Sequence, residues 1–129
     1  MMPDGEQTRF LNVDLELVAT TELQPLLERL SSDTFALRDS TEDGRRTVWL
    51  ELAEDPRDAE DALAGFARVI ESLPDEARRA WGKCEDRCLN IGIQGAPDPH
   101  AAAFRISAPT LARISALGAR LEITVYGAE

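Results

Sequence analysis

Polar and apolar residues alternate along FLNVDLELV (10–18), placing Leu11, Val13, Leu15 and Leu17 on one side and Asn12, Asp14 and Glu16 on the other. That period of two predicts a strand in a sheet with one buried face. Thr21 and Gln24 form a capping-box pattern, and Leu23, Leu26, Leu27 and Leu30 supply the stripe of a short helix, with Pro25 tolerable near its first turn. Thr34–Leu37 and Arg46–Leu52 flank an STEDG tip (40–44), which predicts a hairpin with Gly44 at a positive-φ position. In its second strand Val48, Leu50 and Leu52 point inward, and Trp49 and Glu51 outward.

Asp55-Pro56 reads as the start of a long helix whose stripe is Ala59, Leu63, Phe66, Ile70 and Leu73. Pro74 interrupts it, and PDEARRAW (74–81) predicts a second short helical segment ending near Gly82. A strand follows at 88–93 with Leu89, Ile91 and Ile93 on one side, then a Pro- and Gly-rich loop at 95–100. A further strand is expected around Ala103–Ile106. Ser107 caps the next helix, Pro109 suits its first turn, and Leu111, Ile114 and Leu117 mark its apolar face. Gly118 fits a left-handed stop, and Leu121, Ile123 and Val125 alternate with Glu122 and Thr124 in a last strand.

The expected order is therefore β-α-β-β-α-β-β-α-β. It describes an α+β protein with a single antiparallel or mixed sheet, helices on one face, and a relationship to the ferredoxin-like sandwich. At 129 residues one domain is expected over 1–129, with residues 1–8 as a flexible N-terminal arm.

Composition narrows function mainly by exclusion. The 43% hydrophobic and 29% charged fractions are those of a globular chain. No apolar run reaches the roughly 20 residues of a membrane span. MMPDGEQTR has no hydrophobic segment of a signal peptide, so a soluble, cytoplasmic protein that does not engage membranes is expected. A net charge of −10, from 24 acidic against 14 basic residues, repels nucleic-acid phosphates and favours a basic partner. Arg78 and Arg79, beside Trp81 and Lys83, read as a local patch that balances Asp75, Glu76, Glu85 and Asp86.

Catalytic motifs are missing: no GxxxxGK[ST], GxGxxG or GxSxG occurs, and the single histidine, His100, lies in the Pro-rich loop. Cys84 and Cys88, four apart, suit one helical face as reduced, partly buried thiols, since a structural zinc would need two more ligands. Neither a metal nor a cofactor is expected. The outward strand positions gather Asp14, Glu16, Trp49, Glu51, Glu122 and Tyr126, with Arg105 beside them, into a candidate interaction face of carboxylates and aromatics. The helix residues Asp58, Glu60 and Asp61 offer a second acidic surface.

The ending FRIS-x-x-TL-x-x-I-x-x-LGA-x-LEITVY resembles the close of a bacterial domain-of-unknown-function family, and TVWLEL (47–52) and LNIGIQG (89–95) resemble its middle strands. The resemblance implies a small acidic α+β protein of a kind that includes candidate toxin-immunity proteins, and it implies no catalytic residues. Together these readings favour a non-enzymatic interaction domain that binds a basic protein or associates with itself. The alternative is a small-ligand or enzymatic domain with a pocket near Trp49, Trp81 and the 94–100 loop.

Overall fold

The computed structural model describes residues 8–97 and 101–127. It is an α+β fold with a single five-stranded mixed sheet and four helices. The elements are β1 (Arg9–Ala19), α1 (Gln24–Leu30), β2 (Thr34–Glu42), β3 (Arg45–Leu52), α2 (Ala59–Glu71), α3 (Asp75–Gly82), β4 (Asp86–Gln94), α4 (Ala108–Ala116) and β5 (Arg120–Tyr126). The sheet order is β2-β3-β1-β4-β5. The first three neighbouring pairs are antiparallel, and β4 and β5 are parallel.

Alternation decides which face is buried. Val13, Leu15, Leu17 and Ala19 of β1, Val48 and Leu50 of β3, and Leu89, Ile91 and Ile93 of β4 form one core with Leu26, Leu63, Phe66, Ile70 and Trp81 of the helices. Helix α2 packs on β1, β3 and α4, while α1 packs against α3. The strand residues between these core positions lie on the opposite, uncovered face.

Several local expectations are corrected. A bulge between Phe10 and Asn12 shifts the phase of β1, so Phe10 packs on the core and Leu11 is exposed. Helix α1 has no side-chain cap; Leu23 occupies that position, and the Gln24 amide donates to Glu22 instead of Thr21 forming a capping box. The hairpin strands run longer than expected and meet at a two-residue turn, Asp43-Gly44, with φ of 53° and 77°. Both positive values match a type I′ turn, whose twist suits a tight hairpin.

Helix α2 begins at Ala59 rather than beside Pro56, because the Asp58 carboxylate accepts from the Asp61 amide at 2.8 Å and fixes the cap there. Cys84 follows α3 whereas Cys88 lies on β4, so the two do not share a helical face. Residues 103–106 form no strand. The segment is instead held to the start of α2, where the Glu60 carboxylate accepts from the Ser107 amide at 2.7 Å and the Thr110 hydroxyl at 2.6 Å. Only β5 continues the sheet beyond β4. Its arrival by way of α4 allows the parallel pairing. Apart from Thr8, the expected N-terminal arm lies outside the described residues, as does His100.

Arg87 locks the helix ends to the sheet. Its Nη1 donates to the carbonyls of Trp81 at 3.0 Å and Cys84 at 3.1 Å, and its Nε to that of Gly118 at 3.1 Å. One guanidinium thereby bonds carbonyls at the ends of both α3 and α4, of which that of Trp81 also accepts from the Cys84 amide. The Trp81 indole N–H donates to Leu117 at 2.9 Å, a second tie between the same helices.

Candidate interaction face

Register assembles the uncovered face row by row. Pairing of Glu16 with Trp49 and Cys88, and of those with Arg38 and Arg120, gives the row Arg38–Trp49–Glu16–Cys88–Arg120. The neighbouring row holds Phe35, Glu51, Asp14, Asn90 and Glu122, since Leu15 faces Leu50 and the strands are antiparallel. Asn12, Gly92 and Thr124 follow, and Gln94 and Tyr126 end the face. All six sequence-expected positions, Asp14, Glu16, Trp49, Glu51, Glu122 and Tyr126, thus lie on one surface.

The surface is not uniformly acidic. Arg120 binds Asp86 through two contacts of 2.9 and 2.8 Å and reaches Glu122 at 3.2 Å. These bonds raise the Arg120 pKa, and the Asp86 carboxyl is held below its ordinary range chiefly by hydrogen bonding from Arg120. Glu85 pairs with Arg45, so neither acid balances the Arg78-Arg79 patch as its sequence proximity suggested. Arg38 stacks over Trp49, 5.0 Å from the ring centre, and covers one side of the indole.

The middle of the face differs. Asn12 Nδ2 donates to Glu51 Oε2 at 2.8 Å. Beside that bond, Asp14 Oδ1 is buried with no hydrogen-bond partner among the described residues. Burial, followed by hydrogen bonding and repulsion from Glu51, pushes the Asp14 pKa up to about 7. Asp14 accordingly retains its proton in mildly acidic solution, because ionising it in a half-buried place beside Glu51 is costly.

Gly92 makes room for this arrangement. A Cβ there would stand 2.7 Å from Asn12 Oδ1 and 3.6 Å from the Tyr126 ring. Asn12, Asn90 and Arg120 were missed in the sequence because their roles follow from strand register, with only their outward parity visible, whereas Arg38 is turned outward by the bulge after Ala36.

Other expected residues lie elsewhere. Trp81 is 3% exposed in the helix-side core, whereas Trp49 is on the opposite sheet face, so they cannot line one pocket. The loop residues 98–100 fall outside the described set. Arg105 belongs to the irregular segment before α4, where it borders an open depression with Glu60, Phe104 and Ser107. Asp58, Glu60 and Asp61 are already engaged: Asp58 caps α2, Glu60 holds the α4 start, and Asp61 accepts from the Arg57 amide at 2.9 Å.

Cys88 lies nearly inaccessible on the Glu16–Arg120 row, and burial pushes its thiol up to about 11. Cys84 is buried on the helix side and is also shifted upward by burial. Both are poor thiolates in this setting. No group of three or more metal-ligating side chains occurs among the described residues, and no helix there is long and apolar enough to cross a membrane. No protein-family model matches the chain, and neither a curated protein nor a solved structure matches it.

Proposed function

We propose that this chain is a non-enzymatic cytoplasmic interaction domain whose uncovered sheet face binds a basic protein, in the manner of an immunity-like inhibitor. The observation that carries it is the cluster of Asp14, Glu16 and Glu51 at neighbouring positions of that face, where burial and Glu51 raise the Asp14 pKa. A guanidinium or ammonium group docked beside this cluster favours the ionised form of Asp14. Trp49, Phe35 and Tyr126 lie on the same face and offer apolar contact around that central contact. The net charge of −10 favours encounter with such a partner.

The order β2-β3-β1-β4 with antiparallel neighbours is what we read as a relative of the ferredoxin-like sandwich, to which α4 and β5 add a unit at one edge. A relationship to the bacterial family is proposed from the C-terminal and middle-strand patterns alone.

Co-expression with the product of the adjacent gene, followed by a low-salt pull-down, tests the proposal. A complex is expected, weakened at least tenfold by Glu16→Lys or Glu51→Lys and by raised salt. Affinity should increase as pH rises through about 7, where Asp14 loses its proton. No complex, or a complex indifferent to both substitutions, would sink the reading.

A further inference from the structure

The two outer strands of the sheet are protected very differently. β2 carries a bulge between Ala36 and Arg38, and its helix-side position Asp39 holds an ion pair with Arg46 at 2.6 Å. Bulges and inward-pointing charges keep an edge from recruiting another strand. β5 has neither device. Its sequence, RLEITVY, contains no proline, glycine or lysine, and its pairing with β4 continues through seven residues without a register shift. Ile123 and Val125 share the helix-side parity of the buried Ile91 and Ile93 but remain 63% and 61% exposed. Among the described residues, no strand pairs with the outer side of β5.

We infer that β5 pairs antiparallel with β5 of a second copy of this chain, joining two five-stranded sheets across a two-fold axis at Ile123. The backbone permits this register. The Gly95 amide donates to the Tyr126 carbonyl at 2.8 Å, so the even-numbered peptide groups of β5 face β4. By strand alternation, the N–H and C=O groups of Leu121, Ile123 and Val125 point outward. Centring on Ile123 pairs Ile123 with its counterpart and Leu121 with Val125 of the second copy, each a hydrogen-bonded antiparallel pair.

Side chains favour the same register. Polarity along 120–126 reads alike from either end, with polar residues at 120, 122, 124 and 126 and apolar ones between. The helix-side faces of the two copies then form one apolar stripe of Leu121, Ile123 and Val125 from each chain. On the other face Arg120 stands opposite Tyr126, and Glu122 opposite Thr124, so no like charges meet directly. Sliding the ladder to centre it on Glu122 would oppose the two Glu122 carboxylates and shorten the overlap. The self-matched pattern is the reason to choose a second copy over an unrelated strand. A seven-residue edge contact with its flanking side chains reaches roughly the lower range of specific interfaces, on the order of 1,000 Å² in total, which suits a reversible dimer.

Sedimentation velocity from about 1 to about 500 μM tests this, with a midpoint expected on the order of 10 μM. Ile123→Lys should leave only monomer across that range, whereas Leu37→Lys, at a comparably exposed position on the opposite edge, should associate like wild type. Association should strengthen with salt, because two chains of net charge −10 repel; a complex with a basic partner on the uncovered face should weaken under the same change. In the dimer, hydrogen exchange should slow at the amides of Leu121, Ile123 and Val125 but not at Glu122 or Thr124. A monomer throughout, or a dimer that keeps its affinity with Ile123→Lys or shows no such exchange pattern, overturns the inference.

Discussion

On β1, Leu15 and Leu17 have no exposed surface, while their neighbours Asp14 and Glu16 stay partly open to solvent. The same alternation separates Leu50 from Glu51 on β3 and Ile91 from Asn90 on β4. One face of the sheet is therefore stabilised by excluded water and close packing, and the other by local pairing of polar groups. The first tolerates little change in volume. The second tolerates many substitutions but contains one costly feature, the half-buried carboxyl of Asp14.

Leu15→Ala sets the scale for the helix-side face. Leu15 is fully buried under α2, and its truncation removes packed methyl groups that neighbours only partly replace. A loss of about 3–4 kcal/mol is expected in urea unfolding. Glu16→Ala, one residue away, should change stability by no more than about 0.5 kcal/mol. If the two losses were equal, the two faces would not differ in the way described.

Arg87→Ala gives the next largest effect. The guanidinium joins α3, α4 and β4 by hydrogen bonds to carbonyls, and alanine removes those bonds, leaving the Trp81 carbonyl only its contact from the Cys84 amide. The expected cost is about 2 kcal/mol, of which Arg87→Lys should recover only part because an ammonium cannot span the same carbonyls. Thermal unfolding of the three proteins at one pH measures both steps.

Much of this division was legible in the sequence. The alternation at 13–17, the stripe from Ala59 to Ile70 and the Ser107 cap specify local elements, because each depends on neighbours within one or two turns. Parity likewise identified Asp14, Glu16, Trp49, Glu51, Glu122 and Tyr126 as outward positions. What it could not specify was register. The Asp14–Glu51 pair, the Arg120–Asp86 bonds and the Arg87 lock join residues distant in sequence. The expected strand at 103–106 failed for the same reason. Nothing local forbids a strand there, but β5 holds the place beside β4 and Glu60 binds Ser107, the residue that follows the segment. Ile123 and Val125 show the reverse case, a buried-strand pattern that no helix covers.

Asp14→Asn probes the costly feature of the uncovered face, and its sign is opposite to that of most substitutions. The folded-state pKa of about 7 lies above the ordinary value of 3.8, so the folded protein binds this proton more tightly than the unfolded chain. Stability associated with Asp14 is intact below about 4 and is lost progressively as pH rises through about 7. Asparagine carries no charge at any of these pH values. It should stabilise the fold at pH 8 by about 1–2 kcal/mol, after allowance for solvent screening at a partly exposed site, and should flatten the pH dependence between about 4 and 8. Asp39 and Asp86 contribute in the other direction: their pKa values are lowered by Arg46 and Arg120, so their stabilisation is lost in acid. A denaturant series across pH separates the two contributions, and an Asp14→Asn curve parallel to wild type would remove Asp14 as the source of the neutral-pH slope.

The smallest effect lies where the helix-side face runs out at β2. Asp39 and Arg46 occupy core-parity positions there, but their side chains are 42% and 30% exposed and bind each other at 2.6 Å. Solvent screening and the entropy of holding two long side chains offset most of that attraction. Arg46→Ala should therefore cost no more than about 0.5 kcal/mol, and the cost should shrink further as salt rises. A double-mutant cycle with Asp39→Ala isolates the pair from the rest of the edge. A coupling near zero would mean that the pair contributes through its charge at the β2 edge, by making that edge unattractive to another strand, rather than through its strength. The corresponding inward positions of β5 carry Ile123 and Val125 and have no such charge. If Asp39→Ala and Arg46→Ala leave the fold stable yet make the β2 edge associate, then charge placement, more than the energy of the salt bridge, accounts for the difference between the two edges.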